Sequence, residues 1–187
     1  MTTALLIVDV QRALFESVPA PFDAQAVVQR LQTLSMQARA AGVPVVWVRH
    51  GNASNLVHGA PGWQLVPALG AQPEDLYVDK TTPDAFAHTS LQALLQERQV
   101  QQLVVGGYAS EFCVDTTVRR AAGLGYAVAL LADAHTTHDK PHASGAWIRQ
   151  HHSASLSAMR SFGRPITALD SAAVVWPAAM AGHGAVP

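Results

Sequence analysis

The chain has one cysteine, Cys113, in Gly106-Gly107-Tyr108-Ala109-Ser110-Glu111-Phe112-Cys113-Val114, where an apolar strand-like run turns into a helical pattern. Thiolate sulfur is a strong nucleophile, and the first turn of a helix offers unpaired N–H groups and a positive dipole end that favour the anion. The competing role is a small buried hydrophobe, the common fate of an isolated cysteine. Two other residues have types suited to chemistry. Asp9 ends an aliphatic run at residues 4–8, a position that fits a turn-capping carboxylate or a partly buried one with a specific partner. Lys80, one of only two lysines beside Lys140, follows the apolar run in Tyr77-Val78-Asp79-Lys80 and can serve a reaction or simply pair with Asp79. A thiol, a carboxylate and an ammonium together suffice for nucleophilic attack with proton transfer.

The elements that must position them alternate along the chain. Apolar, β-branched runs predict strands at residues 4–8, 43–48, 76–78, 103–106, 126–131 and 165–169. Helical periodicity predicts helices at 24–41, ended by Gly42, and at 90–98, 112–122 and 142–159. A stretch rich in Gly, Pro and Asn at 50–73 reads as a long functional loop. Strands without polar alternation require a sheet covered on both faces. The expected fold is therefore α/β: a three-layer α-β-α sandwich with a mostly parallel, six-stranded Rossmann-like sheet. In such sheets ligands bind beyond the carboxyl ends of the strands, near the point where strand order reverses. Asp9, Lys80 and Cys113 each fall at or just after the end of an expected strand.

Composition sets the outer limits. With 187 residues and 49% hydrophobic content, the chain suits one domain, expected over residues 1–176, with an Ala/Gly-rich tail at 177–187 expected to be mobile. The formal net charge is −1, and Arg119-Arg120 is the only adjacent basic pair, which argues against a nucleic-acid partner. No apolar run is long enough to span a bilayer, and the N-terminus lacks a basic signal-peptide region, so the expectation is a cytoplasmic protein with no membrane partner.

Four segments in order carry a resemblance. They are Leu5-Leu6-Ile7-Val8-Asp9-Val10-Gln11; Lys80 through Asp84-Ala85-Phe86 to Thr89 and Leu91; Val104 through Cys113-Val114 into Thr117-Val118-Arg119-Arg120-Ala121; and Gly125-Tyr126 with Asp133-Ala134. From residue 4 to about residue 169 the chain resembles the isochorismatase-like cysteine hydrolases, which include nicotinamidases and N-carbamoylsarcosine amidases. The resemblance implies a catalytic triad of Asp9, Lys80 and Cys113, an oxyanion hole from the backbone N–H groups of Ala109 and Cys113, and a cis peptide at Tyr108-Ala109. It also implies a homo-oligomer, for which the helices at 24–41 and 112–122 are candidate interfaces.

The implied reaction is hydrolysis of a C–N bond in a small amide, ureide or lactam through a thioester. Vinyl-ether hydrolysis of the isochorismate type and a non-catalytic thiol sensor or interaction module are the alternatives. Nicotinamidases of this superfamily hold a divalent ion through an Asp-x-His plus His site after the second strand, but here no acidic residue lies between Asp23 and Glu74. His50 and His58 alone are a poor site, because zinc takes three or four protein ligands. The expectation is therefore no metal and no cofactor. His135, His138 and His142 read as a solvated helix entrance opened by Pro141. Candidate substrate-pocket residues are Phe15, Arg49, His50, Trp63, Phe86, Tyr108 and Phe112, with Arg49 a possible carboxylate partner.

Overall fold

Unbroken aliphatic runs become strands that are dry on both sides. The computed structural model describes residues 1–176, so the expected mobile tail at 177–187 lies outside the described residues. The elements in order are β1 (Thr3–Val8), α1 (Arg12–Phe15), α2 (Ala24–Ala40), β2 (Val45–His50), β3 (Leu76–Lys80), α3 (Leu91–Glu97), β4 (Gln102–Tyr108), α4 (Asp115–Gly123), β5 (Ala127–Thr136), α5 (Gly145–Ser157) and β6 (Ile166–Leu169). The six strands form one sheet in the order β3-β2-β1-β4-β5-β6, and every neighbouring pair is parallel. Strand order reverses between β1 and β4, which opens a crevice at their carboxyl ends. All six residues of β1 are buried.

Side-chain alternation along the strands divides the core in two. Leu5, Ile7 and Trp47 point to the face covered by α2 through Val27, Leu31 and Leu34. Leu6, Val8 and Val48 point to the other face, covered by Leu91 and Leu95 of α3, Val118 and Ala121 of α4, and Leu156 of α5. Among the described residues, no helix is long and apolar enough to cross a membrane.

Several boundaries differ from the sequence expectation, and three of the differences bear directly on the site. Lys80 is the last residue of β3 rather than a residue beyond it, because pairing with β2 continues to His50↔Lys80. The single helix expected at 112–122 divides into a π-helical segment, Ser110–Val114, followed by α4. Pro141 does not open α5: Lys140 and Ala143 bridge each other with backbone bonds of 2.9 and 3.2 Å, and Ser144 caps the helix by accepting from the Trp147 N–H at 3.2 Å. A side-chain cap on the helix N-terminus outweighs the proline preference for the first turn.

Candidate active site

Two strand ends set the frame. Val8 of β1 lies in register with Gly107 of β4, and a β-carbon on Gly107 would fall 2.0 Å from the Val8 carbonyl oxygen. Gly107 also has φ of 122°, so only glycine permits this approach. The chain then leaves both strands abruptly. Asp9 adopts a left-handed φ of 53°, a conformation that aspartate tolerates better than most residues, and it is 1% exposed. On the β4 side the Tyr108–Ala109 peptide is cis and leads directly into the π-helical turn that carries Cys113. Within that turn the Ala109 carbonyl accepts from the N–H groups of Phe112 and Val114 and passes over that of Cys113. Single π turns recur where a helix is distorted for function.

The turn is held from behind. Ser110 Oγ lies 2.7 Å from His135 Nδ1, and His135 Nε2 lies 2.9 Å from Ser153 Oγ, so one buried imidazole links the turn to β5 and α5. Burial holds His135 neutral, its pKa lowered to about 3. On the other side, Thr117 Oγ1 accepts from the Ala85 N–H at 3.2 Å, fixing the first turns of α4 to the segment after β3.

Asp9, Lys80 and Cys113 meet at one buried point. Lys80 Nζ is 2.7 Å from Asp9 Oδ2 and 3.3 Å from Cys113 Sγ, and it also lies 3.1 Å from His50 Nδ1. Among the described residues Asp9 Oδ1 is buried with no hydrogen-bond partner and is an open acceptor, and the Cys113 sulfur lies within 4.8 Å of one of the Asp9 carboxylate oxygens.

The electrostatics differ from the thiolate expected of a helix start. Burial, reinforced by the Asp9 charge, pushes the Cys113 thiol up to about 12, and the opposing pull of Lys80 does not overcome it. Burial also raises Asp9, against the lowering effect of Lys80. A carboxyl starts some four to five pH units below a thiol. The resting thiol is therefore neutral, and the Asp9 carboxyl is the group beside it placed to take its proton.

Asp9, His50 and Cys113 have donor atoms within 4.8 Å of one another, but Lys80 Nζ stands against all three, where a cation would have to sit. A divalent ion would need to displace a paired ammonium.

A cavity of about 320 Å³ opens onto the sulfur, walled by Leu14, Leu56, Tyr108 and Phe112, with Asp9 and Cys113 at its base. Glu111 and Lys140 line it as an ion pair, Lys140 Nζ standing 3.1 Å from Glu111 Oε1. Of the pocket residues expected from sequence, His50, Tyr108 and Phe112 line this cavity, together with Ala109. The other four lie elsewhere. Phe15 is buried edge-on against Tyr108 at 6.0 Å, and Phe86 stacks on Tyr126 in the core under α3. The Arg49 guanidinium lies 4.0 Å over the Trp63 ring and its Nε bonds Asp79 Oδ1 at 2.7 Å, so its charge is already matched. Trp63 is buried between Arg49 and His58.

Of the three histidines expected at a solvated helix entrance, His142 is exposed, whereas His135 is buried and His138 is engaged. His138 bridges the Tyr108 hydroxyl and Ser17 Oγ, each at 2.9 Å. Sequence reasoning missed Gln11 altogether. Its side-chain amide donates to the carbonyls of Trp63 at 2.7 Å and His50 at 3.0 Å, and accepts from the His50 N–H at 2.8 Å. One buried glutamine thus ties the long loop to the end of β2. Its place two residues after Asp9 was the only available signal. Leu14, Leu56, Glu111 and Lys140 had none beyond the scarcity of lysine.

Comparison with known proteins identifies the family. The Isochorismatase domain family matches residues 3–170. A streptothricin hydrolase of Streptomyces noursei is 42% identical over 140 residues, 74% of this chain and 51% of that protein; the chain thus spans about half the length of this relative. The ureidoacrylate amidohydrolase RutB of Methylorubrum extorquens is 30% identical over 171 residues, 71% of this chain and 69% of its own. Among solved structures, an isochorismatase family protein superimposes with a TM-score of 0.82 at 35% identity, covering 90% of this chain and 98% of that one. An isochorismatase of Pseudomonas putida KT2440 gives 0.83 at 27% identity, covering 92% and 90%. With a parallel sheet of this order and a family match across nearly its whole length, the chain belongs to the isochorismatase-like cysteine hydrolase superfamily.

Proposed function

We propose that this protein is a cysteine amidohydrolase that cleaves the C–N bond of a small amide, ureide or lactam, without a metal, through a thioester on Cys113. The observation that carries the reading is the junction of Asp9, Lys80 and Cys113 at the base of a 320 Å³ cavity. As Sγ attacks the carbonyl carbon, its proton passes to the Asp9 carboxylate and the carbonyl oxygen takes up the negative charge. The backbone N–H groups of Ala109 and Cys113 are assigned to that oxyanion. Asp9 then gives the proton to the leaving nitrogen, the C–N bond breaks, and ammonia or an amine departs. Water, deprotonated by Asp9, attacks the thioester; the acid is released and the sulfur regains its proton. Lys80 keeps Asp9 ionised in a dry site, so that a base is present at neutral pH.

The cavity suits a compact substrate. Its walls of Leu14, Leu56 and Phe112 fit an apolar body, and the Glu111–Lys140 pair offers a polar end. The relatives named for streptothricin and ureidoacrylate hydrolysis agree with C–N chemistry on small molecules. Release of ammonia or amine from a panel of small amides, ureides and lactams tests the reading, together with intact-mass detection of an acyl adduct on quenched enzyme. No turnover across the panel, with a reversible peroxide-induced mass gain on the only cysteine, would favour the thiol-sensor reading instead.

A further inference from the structure

Strand order creates a mechanical difficulty at this site. Asp9 directly follows β1 and Lys80 ends β3, but β2 lies between them, so the two strands stand about 10 Å apart. The lysine side chain must cross the end of β2 to reach its carboxylate. The residue at that end is His50, paired in register with Lys80 itself.

An ammonium has three N–H donors and no acceptor. Lys80 Nζ meets three acceptors: Asp9 Oδ2 at 2.7 Å, His50 Nδ1 at 3.1 Å and Cys113 Sγ at 3.3 Å. The lysine side chain is 0% exposed, so water does not complete this set, and an unmatched N–H here would carry its full desolvation cost. Because lysine only donates, Nδ1 of His50 must be the unprotonated nitrogen of a neutral ring. The backbone that carries the ring is fixed. Gln11 bonds both the N–H and the carbonyl of His50, at 2.8 and 3.0 Å, in place of a further strand partner.

We propose that His50 is a positioning residue for Lys80: an uncharged acceptor on the intervening strand that holds the ammonium between Asp9 and Cys113. For turnover this rests on the amidohydrolase reading, but the effect on the thiol does not. The charged and titratable groups facing the ring are Lys80, Asp9 and Cys113, with the Thr82 backbone also within its reach.

Two variants and one direct measurement decide it. His50→Leu removes the acceptor, and His50→Asn places an amide oxygen near the position of Nδ1. In His50→Leu, kcat is expected to fall about a hundredfold while KM changes little, the usual effect of misplacing a reacting group by about 1 Å. Asn is expected to recover most of that loss. Iodoacetamide alkylation of Cys113, read by mass, should slow in the Leu variant from neutral to alkaline pH and return close to the parent rate in the Asn variant. Alkylation reports on the thiol even if no amide proves to be a substrate, so failure of the proposal is separable from failure of the amidohydrolase reading. Leu and Asn variants that behave alike, or a Leu defect confined to KM, would overturn the proposal. If the Leu variant fails to fold, nitrogen NMR of the parent protein decides: a neutral His50 with its proton on Nε2 is expected, and a proton on Nδ1 refutes the assignment.

Discussion

Replacing Lys80 with methionine should do more than weaken a hydrogen bond, because it should remove the charge that keeps the base ionised. Lys80 Nζ and Asp9 Oδ2 are 2.7 Å apart with both side chains almost fully buried. At an effective dielectric of about 20, Coulomb attraction across that distance is about 6 kcal/mol. Each 1.36 kcal/mol is worth one pH unit, and this attraction is the main influence opposing the burial of Asp9, so losing it carries the carboxyl further above the usual carboxylate range. Burial already raises Asp9 and acts in the same direction. In Lys80→Met, therefore, Asp9 is expected to be protonated at neutral pH, leaving a thiol facing an acid with no base between them. The expected result is a loss in kcat/KM of at least about a hundredfold at neutral pH, in keeping with the removal of acid–base help. The deficit should shrink as pH rises and the carboxyl ionises. The assay is kcat/KM against pH for parent and variant on the same amide. A deficit that stays constant across pH, or one below about tenfold at neutrality, would refute the electrostatic account of Lys80.

Four other outcomes follow from the same geometry. With its thiol pushed up to about 12, Cys113 should alkylate slowly at neutral pH and progressively faster with rising pH; a fast, pH-independent reaction would show a resting thiolate. Gly107→Ala forces a β-carbon to within 2.0 Å of the Val8 carbonyl and is expected to cost about 3 kcal/mol, read as a lower Tm; a melting curve unchanged from the parent would contradict the close approach. His135 is held neutral in the folded protein but takes a proton near pH 6.5 once unfolded, so stability should be lost as pH falls from about 6.5 towards 3, by up to about 5 kcal/mol. Denaturant titrations of the parent and of His135→Asn test this, and an equal acid slope in both would assign the effect elsewhere. Treatment with EDTA should leave activity unchanged, and loss with recovery on added zinc would overturn the metal-free mechanism.

The sequence by itself determined the sheet and the three residue types at its edge. Runs such as Leu5-Leu6-Ile7-Val8 cannot leave either face in water, so they specify a doubly covered parallel strand, and strand ends are where such folds expose chemistry. Asp9, Lys80 and Cys113 were legible for that reason, and the resemblance assigned them their roles. Tertiary structure alone decided which neighbours share the site, because contacts across strands have no local signal. His50 and Lys80 are thirty residues apart yet lie side by side in register, and Gln11 reaches fifty-two residues along the chain to hold Trp63. Aromatic type did not separate Phe112 on the cavity wall from Phe86 in the core, since what packs over each is decided only in the folded chain. The protonation of Cys113 was likewise beyond local reading. A helix start and a lysine favour the anion, but burial and a carboxylate brought in from another strand oppose it, and the depth of that burial exists only once the sheet has formed.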